Sequence, residues 1–209
     1  EAGMNQFIWN GRYPSARTVL DDKTMSGIVV GPLVPPGTYR VALVVGEQSQ
    51  TETFEVLKDP RVSATPDDFR MQFELLMNIR DKVSEVHDSV NQIRGMKSQL
   101  EEWLGRASNN PTLGSVAGAA VWLSEKMSAI ESELIQVDYS GERDFLHLPT
   151  RLNRKLAELF NVVASADFAP TKQAYDVFNH LSDRIDRHIS DLGRLVDQDL
   201  AAFVKLVQE

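Results

Sequence analysis

The chain has 209 residues, which is enough for one large domain or two small ones. Hydrophobic residues make up 42% and charged residues 25%, values typical of folded proteins that argue against disorder along the whole chain. The formal net charge of −8 disfavours nucleic acid and anionic lipid as partners. No apolar run approaches the roughly 18 residues of a membrane span, and the absence of cysteine excludes disulfides, thiolate zinc sites and cysteine nucleophiles.

Turn-forming residues divide the chain at about residue 62. Residues 1–62 hold 6 of the 12 Gly and 5 of the 9 Pro, although they are the shorter part. They carry 6 basic and 7 acidic side chains, a net charge of −1, whereas residues 63–209 carry 16 and 23, a net charge of −7. The chain opens at Glu1 with neither a Met nor a signal peptide, so we expect it to be a fragment of a longer protein.

The first part is predicted to consist of strands. Short apolar stretches bounded by turn residues lie at 6–9, 27–30, 38–45 and 51–57. The last two alternate with a period of two, which is typical of a strand with one buried face. We expect residues 46–49 to form the hairpin loop between them. These stretches predict a small immunoglobulin-like or fibronectin-like β-sandwich over residues 1–62.

The second part is predicted to be helical. Thr65-Pro66-Asp67-Asp68 is a helix start, because Thr65 can cap, Pro66 suits the first turn and Asp68 completes a capping box. Apolar residues then recur every three or four positions and form continuous stripes. The stripes predict an antiparallel four-helix bundle over 63–209, with helices near 66–105, 113–137, 149–165 and 170–207.

No catalytic, metal or cofactor motif is found in the sequence. The four histidines lack the paired Glu-x-x-His motifs of a di-iron bundle, and the chain contains neither a Gly-x-Ser-x-Gly elbow nor a phosphate-binding loop with its lysine. Adjacent carboxylates such as Glu101-Glu102 are interpreted as surface charges. We therefore predict that the chain is not an enzyme and binds no metal or cofactor; a cryptic hydrolase is the weakest alternative.

Three aromatic residues of the first part are candidate site residues. Trp9, Tyr13 and Tyr39 either form a flat platform on which sugars stack, or fill the core of the sandwich or seal it against a neighbouring domain. We favour the core or interface role, because such rings more often have it than a role in glycan binding. In the second part, we expect Trp103 and Trp122 to pack against each other across the first two helices.

Several sequence strings resemble one protein family. They are Ala2-Gly3-Met4-Asn5-Gln6-Phe7-Ile8-Trp9-Asn10-Gly11-Arg12-Tyr13-Pro14, then Gly31-Pro32-Leu33-Val34-Pro35-Pro36-Gly37-Thr38-Tyr39, then Lys58-Asp59-Pro60-Arg61, and finally Pro170-Thr171 with Tyr175 to Phe178, Leu181-Ser182, Asp199-Leu200 and Phe203. In this order they are similar to the C-terminal region of large bacterial proteins with a sortilin-like propeller. Those proteins are often labelled glycosyl hydrolases with bacterial neuraminidase repeats.

The resemblance implies a secreted or periplasmic parent protein in which any chemistry belongs to the propeller. The propeller's repeat signature, Ser-x-Asp-x-Gly-x-x-Trp, is absent here, so no catalytic role is carried onto this chain. The family's sandwich begins upstream of Gly3, which implies one or two missing strands and an exposed sheet edge.

The expected function is therefore that of a non-catalytic structural or interaction module that docks on, or spaces, the upstream propeller of the same polypeptide. The alternative is a carbohydrate-binding module acting through Trp9, Tyr13 and Tyr39. A homo-oligomer through the sheet edge or the bundle is a further partner prediction, with neither nucleic acid binding nor membrane insertion expected.

Overall fold

The protein is mainly helical in the computed structural model, which describes residues 3–20, 22, 27–108, 110–139 and 146–208. Its elements are β1 (Gly37–Val45), β2 (Gln48–Val56), α1 (Pro66–Ala107), a short 3₁₀ turn (Pro111–Leu113), α2 (Gly114–Leu134), α3 (Leu152–Val163), α4 (Lys172–Arg194), a π-helical stretch (Leu195–Leu200) and α5 (Ala201–Gln208). Asn109, at which the sequence Asn109-Asn110-Pro111 is expected to break the first predicted helix, lies outside the described residues, and so does Gly141, in the loop expected between the second and third predicted helices.

The prediction of a β-sandwich over residues 1–62 is wrong. The described part of this region contains one two-stranded antiparallel sheet, β1 and β2, rather than two packed sheets. The predicted strands at 6–9 and 27–30 are irregular chain. The hairpin turn is Gly46-Glu47, with Gly46 at a φ of +60°, so β2 begins two residues earlier than the predicted loop allowed.

Two extended segments, residues 11–20 and residues 29–34, take the place that the sandwich prediction gave to strands. Residues 11–16 and 29–34 run antiparallel and share three well-spaced backbone hydrogen bonds, from Tyr13 to Pro32, from Ala16 to Val29 and from Val34 to Gly11. Prolines among them have no N–H to donate, which prevents a continuous ladder. Ala16 and Val29 are instead buried against the helices, whereas Val30 and Leu33 are exposed.

Helix α1 is the central helix of the helical body, because it packs against α2, α3 and α4. It has 42 residues, a length of roughly 63 Å. The Thr65 hydroxyl accepts from the Asp68 backbone N–H, and the Asp68 carboxylate accepts from the Thr65 N–H, so the predicted capping box is present. Buried Glu131 of α2 accepts from Arg94 at 2.8 Å and Lys97 at 3.1 Å, which joins α2 to α1.

The apolar core has two parts along α1. One part joins the first half of α1 to α3, α4 and the end of α2, and includes Ala16, Val19 and Val29 from the extended segments. The other joins the second half of α1 to α2, the π-helical stretch and α5. Since α3 has only 12 residues, the extended segments cover the surface of α1 that a longer helix would cover.

Polar side chains of α1 hold the first extended segment in place. The Ser84 hydroxyl accepts from the Arg17 backbone N–H, and the Asn91 amide both accepts from Leu20 N–H and donates to the Thr18 carbonyl. The Arg17 guanidinium forms a bidentate pair with Asp88 of α1. Backbone groups of Arg17, Thr18 and Leu20 are thus satisfied by a helix, whereas residues 11–16 bond to the second extended segment.

Candidate interaction surface

The aromatic rings at the base of the hairpin form one cluster. The Trp9 ring lies 6.1 Å from the ring of Tyr39 and 5.9 Å from that of Phe54, and Tyr39 and Phe54 stack at 5.9 Å. Trp9 Nε1 donates to the Arg12 carbonyl at 3.1 Å, and the Tyr39 hydroxyl donates to the Pro35 carbonyl at 2.7 Å. Both polar ends are therefore bonded within the chain, and the cluster ties the hairpin to the segment that precedes it.

Two of the three predicted site residues meet in this cluster, and the third does not. Tyr13 packs on Phe73 of α1, with 4.9 Å between the ring centroids. The Trp9 and Tyr39 ring planes are inclined by 55° to each other. The three rings thus do not make one flat surface, because Tyr13 joins the helical body while the other two support the hairpin.

Phe54 belongs to the cluster but was missed by the sequence analysis. With the predicted four-residue loop, Tyr39 would lie opposite Val56; with the observed two-residue turn it lies opposite Phe54. The alternation of residues 51–57 held the necessary signal, because it places Phe54 on one face with Val56 and Glu52. The length of the turn alone decided which of these β2 residues lies opposite Tyr39.

The hairpin has two chemically different faces, since directly opposed residues of an antiparallel pair share a face. The apolar face comprises Tyr39, Val41, Leu43, Val45 and Phe54 together with Glu52, Gln50 and Gln48. The polar face comprises Thr38, Arg40, Ala42 and Val44 together with Ser49, Thr51, Thr53 and Glu55. The apolar side chains of this face therefore belong mostly to β1, because the β2 residues between Phe54 and the turn are polar.

Most of the apolar face is uncovered. Leu43 is 64% exposed, and Val41 and Val45 are also exposed. The hairpin packs on none of the described helices. A two-stranded hairpin is marginally stable in water unless its face is covered, and contiguous exposed apolar side chains are typical of an interaction site. Here the Trp9 cluster covers only the base of the hairpin.

A second feature is a cleft of about 250 Å³ between α1, α3 and the segments that flank the hairpin. Phe69 and Phe73 of α1 form one wall, and Arg12 and Lys58 are its cations. Lys58 donates to the carbonyls of Val62 and Ala64, and Arg12 donates to the Gly31 carbonyl. Because both cations are already bonded to backbone oxygens, they do not mark the cleft as a small-molecule site, in which polar groups converge on the ligand.

His87 is a buried titratable group of the helical body. Its Nδ1 lies 2.6 Å from the Arg17 carbonyl, to which a protonated Nδ1 donates, and its Nε2 lies 3.5 Å from Asn153 Nδ2. Burial lowers the pKa of His87 below its ordinary value of 6.5, and it outweighs the Arg17 hydrogen bond and the carboxylates of Asp22 and Asp88, which act in the opposite direction. The imidazole thus acts as a neutral link between α1 and the first extended segment.

Within the described ranges, no three His, Asp or Glu side chains come together as metal ligands would. No helix among them is both long and apolar enough to cross a bilayer. Trp103 and Trp122, expected to pack together, instead lie beneath cations of their own helices, Arg106 and Lys126.

Comparisons with protein families, curated proteins and solved structures found no match to this chain. The resemblance to the propeller-containing proteins therefore stays a prediction made from the sequence strings.

Proposed function

We propose that the chain is a non-catalytic interaction module in which the helical body carries the β1–β2 hairpin as its docking element. The observation that carries the proposal is the apolar face of the hairpin, exposed beyond the Trp9 cluster and packed on none of the described helices. A partner surface that covered Val41, Leu43 and Val45 would supply the apolar burial that the hairpin lacks.

The partner implied by the sequence resemblance is a propeller domain of the same polypeptide in a secreted or periplasmic protein. The placement of the rings fits a docking role, since Trp9 and Tyr39 support the hairpin and keep their polar groups bonded within the chain. The hairpin carries Arg40 against Glu47, Glu52 and Glu55, a net charge of −2, so the proposal depends on its apolar side chains rather than on charge.

Calorimetric titration with the separately produced propeller region tests the proposal. Leu43→Glu and Val44→Glu provide the internal comparison. The two wild-type residues lie on opposite faces of the hairpin and are nearly equally exposed, Leu43 at 64% and Val44 at 66%. We expect wild-type binding in the micromolar range or tighter. Leu43→Glu should weaken it at least tenfold because it places a carboxylate in the apolar contact, whereas Val44→Glu should stay within about threefold of wild type.

Two results would contradict the proposal. One is no binding by the wild-type chain when both partners are folded. The other is equal binding by the two variants, which would place the contact away from the apolar face. Helical circular dichroism of each variant verifies that the helical body is intact.

A further inference from the structure

The two outer edges of the hairpin differ in how well they are protected. Each strand is paired on one side only in the described part of the chain, so each presents a row of free backbone N–H and C=O groups. Because a two-residue turn joins Val45 to Gln48, the backbone groups of these two residues bond to each other. Along each strand, every second residue likewise bonds across the hairpin, and the N–H and C=O groups of the residues in between point outward. On β1 the outward set is Thr38, Arg40, Ala42 and Val44.

Acidic side chains disfavour pairing of another copy along the β2 edge, whereas the β1 edge lacks this protection. β2 carries Glu52 and Glu55, and full-length antiparallel pairing with a second β2 would set Glu52 directly opposite its copy. β1 carries one charge, Arg40, over nine residues. Full-length antiparallel pairing with a second β1 sets Val41 opposite Val41, and Arg40 opposite Ala42, so no like charges are directly opposed.

We infer that the β1 edge pairs with the β1 edge of a second copy of this chain, about a two-fold axis at Val41. The product is a four-stranded antiparallel sheet in the order β2–β1–β1–β2. It satisfies the outward backbone groups of Thr38, Arg40, Ala42 and Val44 on both copies. The inference extends the proposed function, on which it rests for the interaction role of the hairpin.

The distribution of charge allows this pairing despite the net charge of −8 on each copy. Seven of those eight net charges belong to residues 63–209, and the hairpin packs on none of the described helices. Its strands of nine residues are about 30 Å long. Copies joined along β1 therefore meet through strands whose one charged residue is Arg40, while the three acidic residues of the hairpin, Glu47, Glu52 and Glu55, lie in the turn and on β2. Repulsion between the acidic helical bodies is screened at physiological ionic strength over about 8 Å.

Pairing along β1 would also change the docking surface. The apolar residues of β1 from the two copies would form one continuous apolar stripe in the middle of the sheet. The polar residues Glu52, Gln50 and Gln48 of β2 would then border that stripe on both sides. Stacking two hairpins face to face would instead bury Glu52, which favours the edge arrangement.

Sedimentation velocity on the full chain, from about 1 to 200 µM, tests the inference. We expect a monomer–dimer equilibrium with a midpoint in the micromolar range for the wild type. Ala42→Pro removes an outward N–H from the β1 edge, and Thr51→Pro does the same on β2, directly opposite in the same hairpin. Ala42→Pro should weaken dimerisation at least tenfold, whereas Thr51→Pro should dimerise like the wild type.

Cysteine cross-linking gives a second measurement that does not depend on proline. The chain has no cysteine, so a single introduced thiol has no background. Opposed residues of a non-hydrogen-bonded antiparallel pair have Cβ atoms about 4.5–5.5 Å apart, close enough for a disulfide after small adjustments. Val41→Cys should form a cross-linked dimer under mild oxidation, and Gln50→Cys on β2 should remain at least tenfold less cross-linked.

The outcomes separate this inference from the proposed function. A wild-type chain that is monomeric at 200 µM overturns the inference, and so does equal cross-linking of the two cysteine variants. Dimers that persist in Ala42→Pro, or that are lost only in Thr51→Pro, place the contact elsewhere and overturn it too. If both proline variants are monomeric, the relative cross-linking of Val41→Cys and Gln50→Cys decides whether the β1 edges pair. Propeller binding by monomeric Ala42→Pro would leave the proposed function supported in each case.

Discussion

At the scale of single residues, the neutral imidazole of His87 links α1 to the first extended segment. Burial lowers its pKa below 6.5, so the unfolded chain binds a proton more readily than the folded one. The stability that neutral His87 contributes is therefore fully present above pH 6.5 and is lost as the pH falls toward the folded-state pKa.

We expect the free energy of unfolding to decrease between about pH 7 and pH 5.5, measured by urea denaturation. His87→Gln keeps hydrogen-bonding capacity but cannot titrate, so it should show a clearly flatter pH dependence in that window. The exposed His180→Gln serves as the control and should follow the wild-type curve. A wild-type curve that is flat between these pH values would contradict the argument.

Gly31 is the residue at which the two extended segments approach most closely. A Cβ built there would lie 1.6 Å from the Tyr13 carbonyl oxygen, so a larger residue must push the segments apart. Gly95 in α1 is exposed and has open space at its Cβ position.

Gly31→Ala should therefore destabilise the protein by about 1–3 kcal/mol through overpacking. Gly95→Ala should stabilise it by about 0.5–1 kcal/mol, because alanine loses less backbone entropy in a helix. Chemical denaturation of the two variants compares them directly. Equal stability of Gly31→Ala and the wild type would mean that the two segments are not held together as described.

At the scale of elements, the hairpin depends on its aromatic base. Trp9 contacts one ring from each strand, and a two-stranded hairpin alone is marginal in water. Each aromatic pair contributes about 0.5–1.5 kcal/mol beyond burial. The cluster is thus the main support for β1 and β2 within the described residues.

Trp9→Ala should speed hydrogen exchange of the β1 and β2 amides by about 10- to 100-fold, which corresponds to the loss of both pairs. Exchange in α1 should stay unchanged, because the cluster does not include helix residues. Trp122→Ala, at a comparable exposure on α2, is the matched control and should leave the hairpin amides as they are. Unchanged hairpin exchange in Trp9→Ala would show that other contacts support the strands.

At the scale of the whole molecule, the predicted division at residue 62 crosses a shared core. Ala16, Val19 and Val29 are buried together with side chains of α1, α3 and α4. The hairpin, by contrast, packs on none of the described helices. The region before residue 62 thus contains one part that stabilises the helical body and one part that projects from it.

Removal of residues 1–62 should lower the melting temperature of the remaining chain and raise its binding of a hydrophobic dye, because one side of the core becomes exposed. Replacement of residues 37–56 by a short Gly-Ser linker should leave the melting temperature within a few degrees of the wild type. Calorimetry and dye fluorescence measure both. If residues 63–209 alone melted like the full chain, the extended segments would not be part of the core.

What the sequence by itself determined is the mainly helical character of the chain and the start of α1. These depend on local signals: the capping box at Thr65 and Asp68, and apolar residues spaced three or four apart along one helix. The alternation near residues 38–45 and 51–57 likewise marks two strands, because a period of two lies within each stretch.

Only the tertiary structure decided the partners of the extended chain. Stretches such as 6–9 and 27–30 have strand-like composition, but a strand forms only where another strand supplies its hydrogen bonds. Here α1 side chains satisfy backbone groups of Arg17 and Thr18 in the first segment, and Val29 is buried against helices instead of a second sheet. The position of Phe54 opposite Tyr39 depended on the turn length in the same way. Helix signals are local, whereas the choice between pairing with a strand and packing on a helix is made by residues distant in sequence.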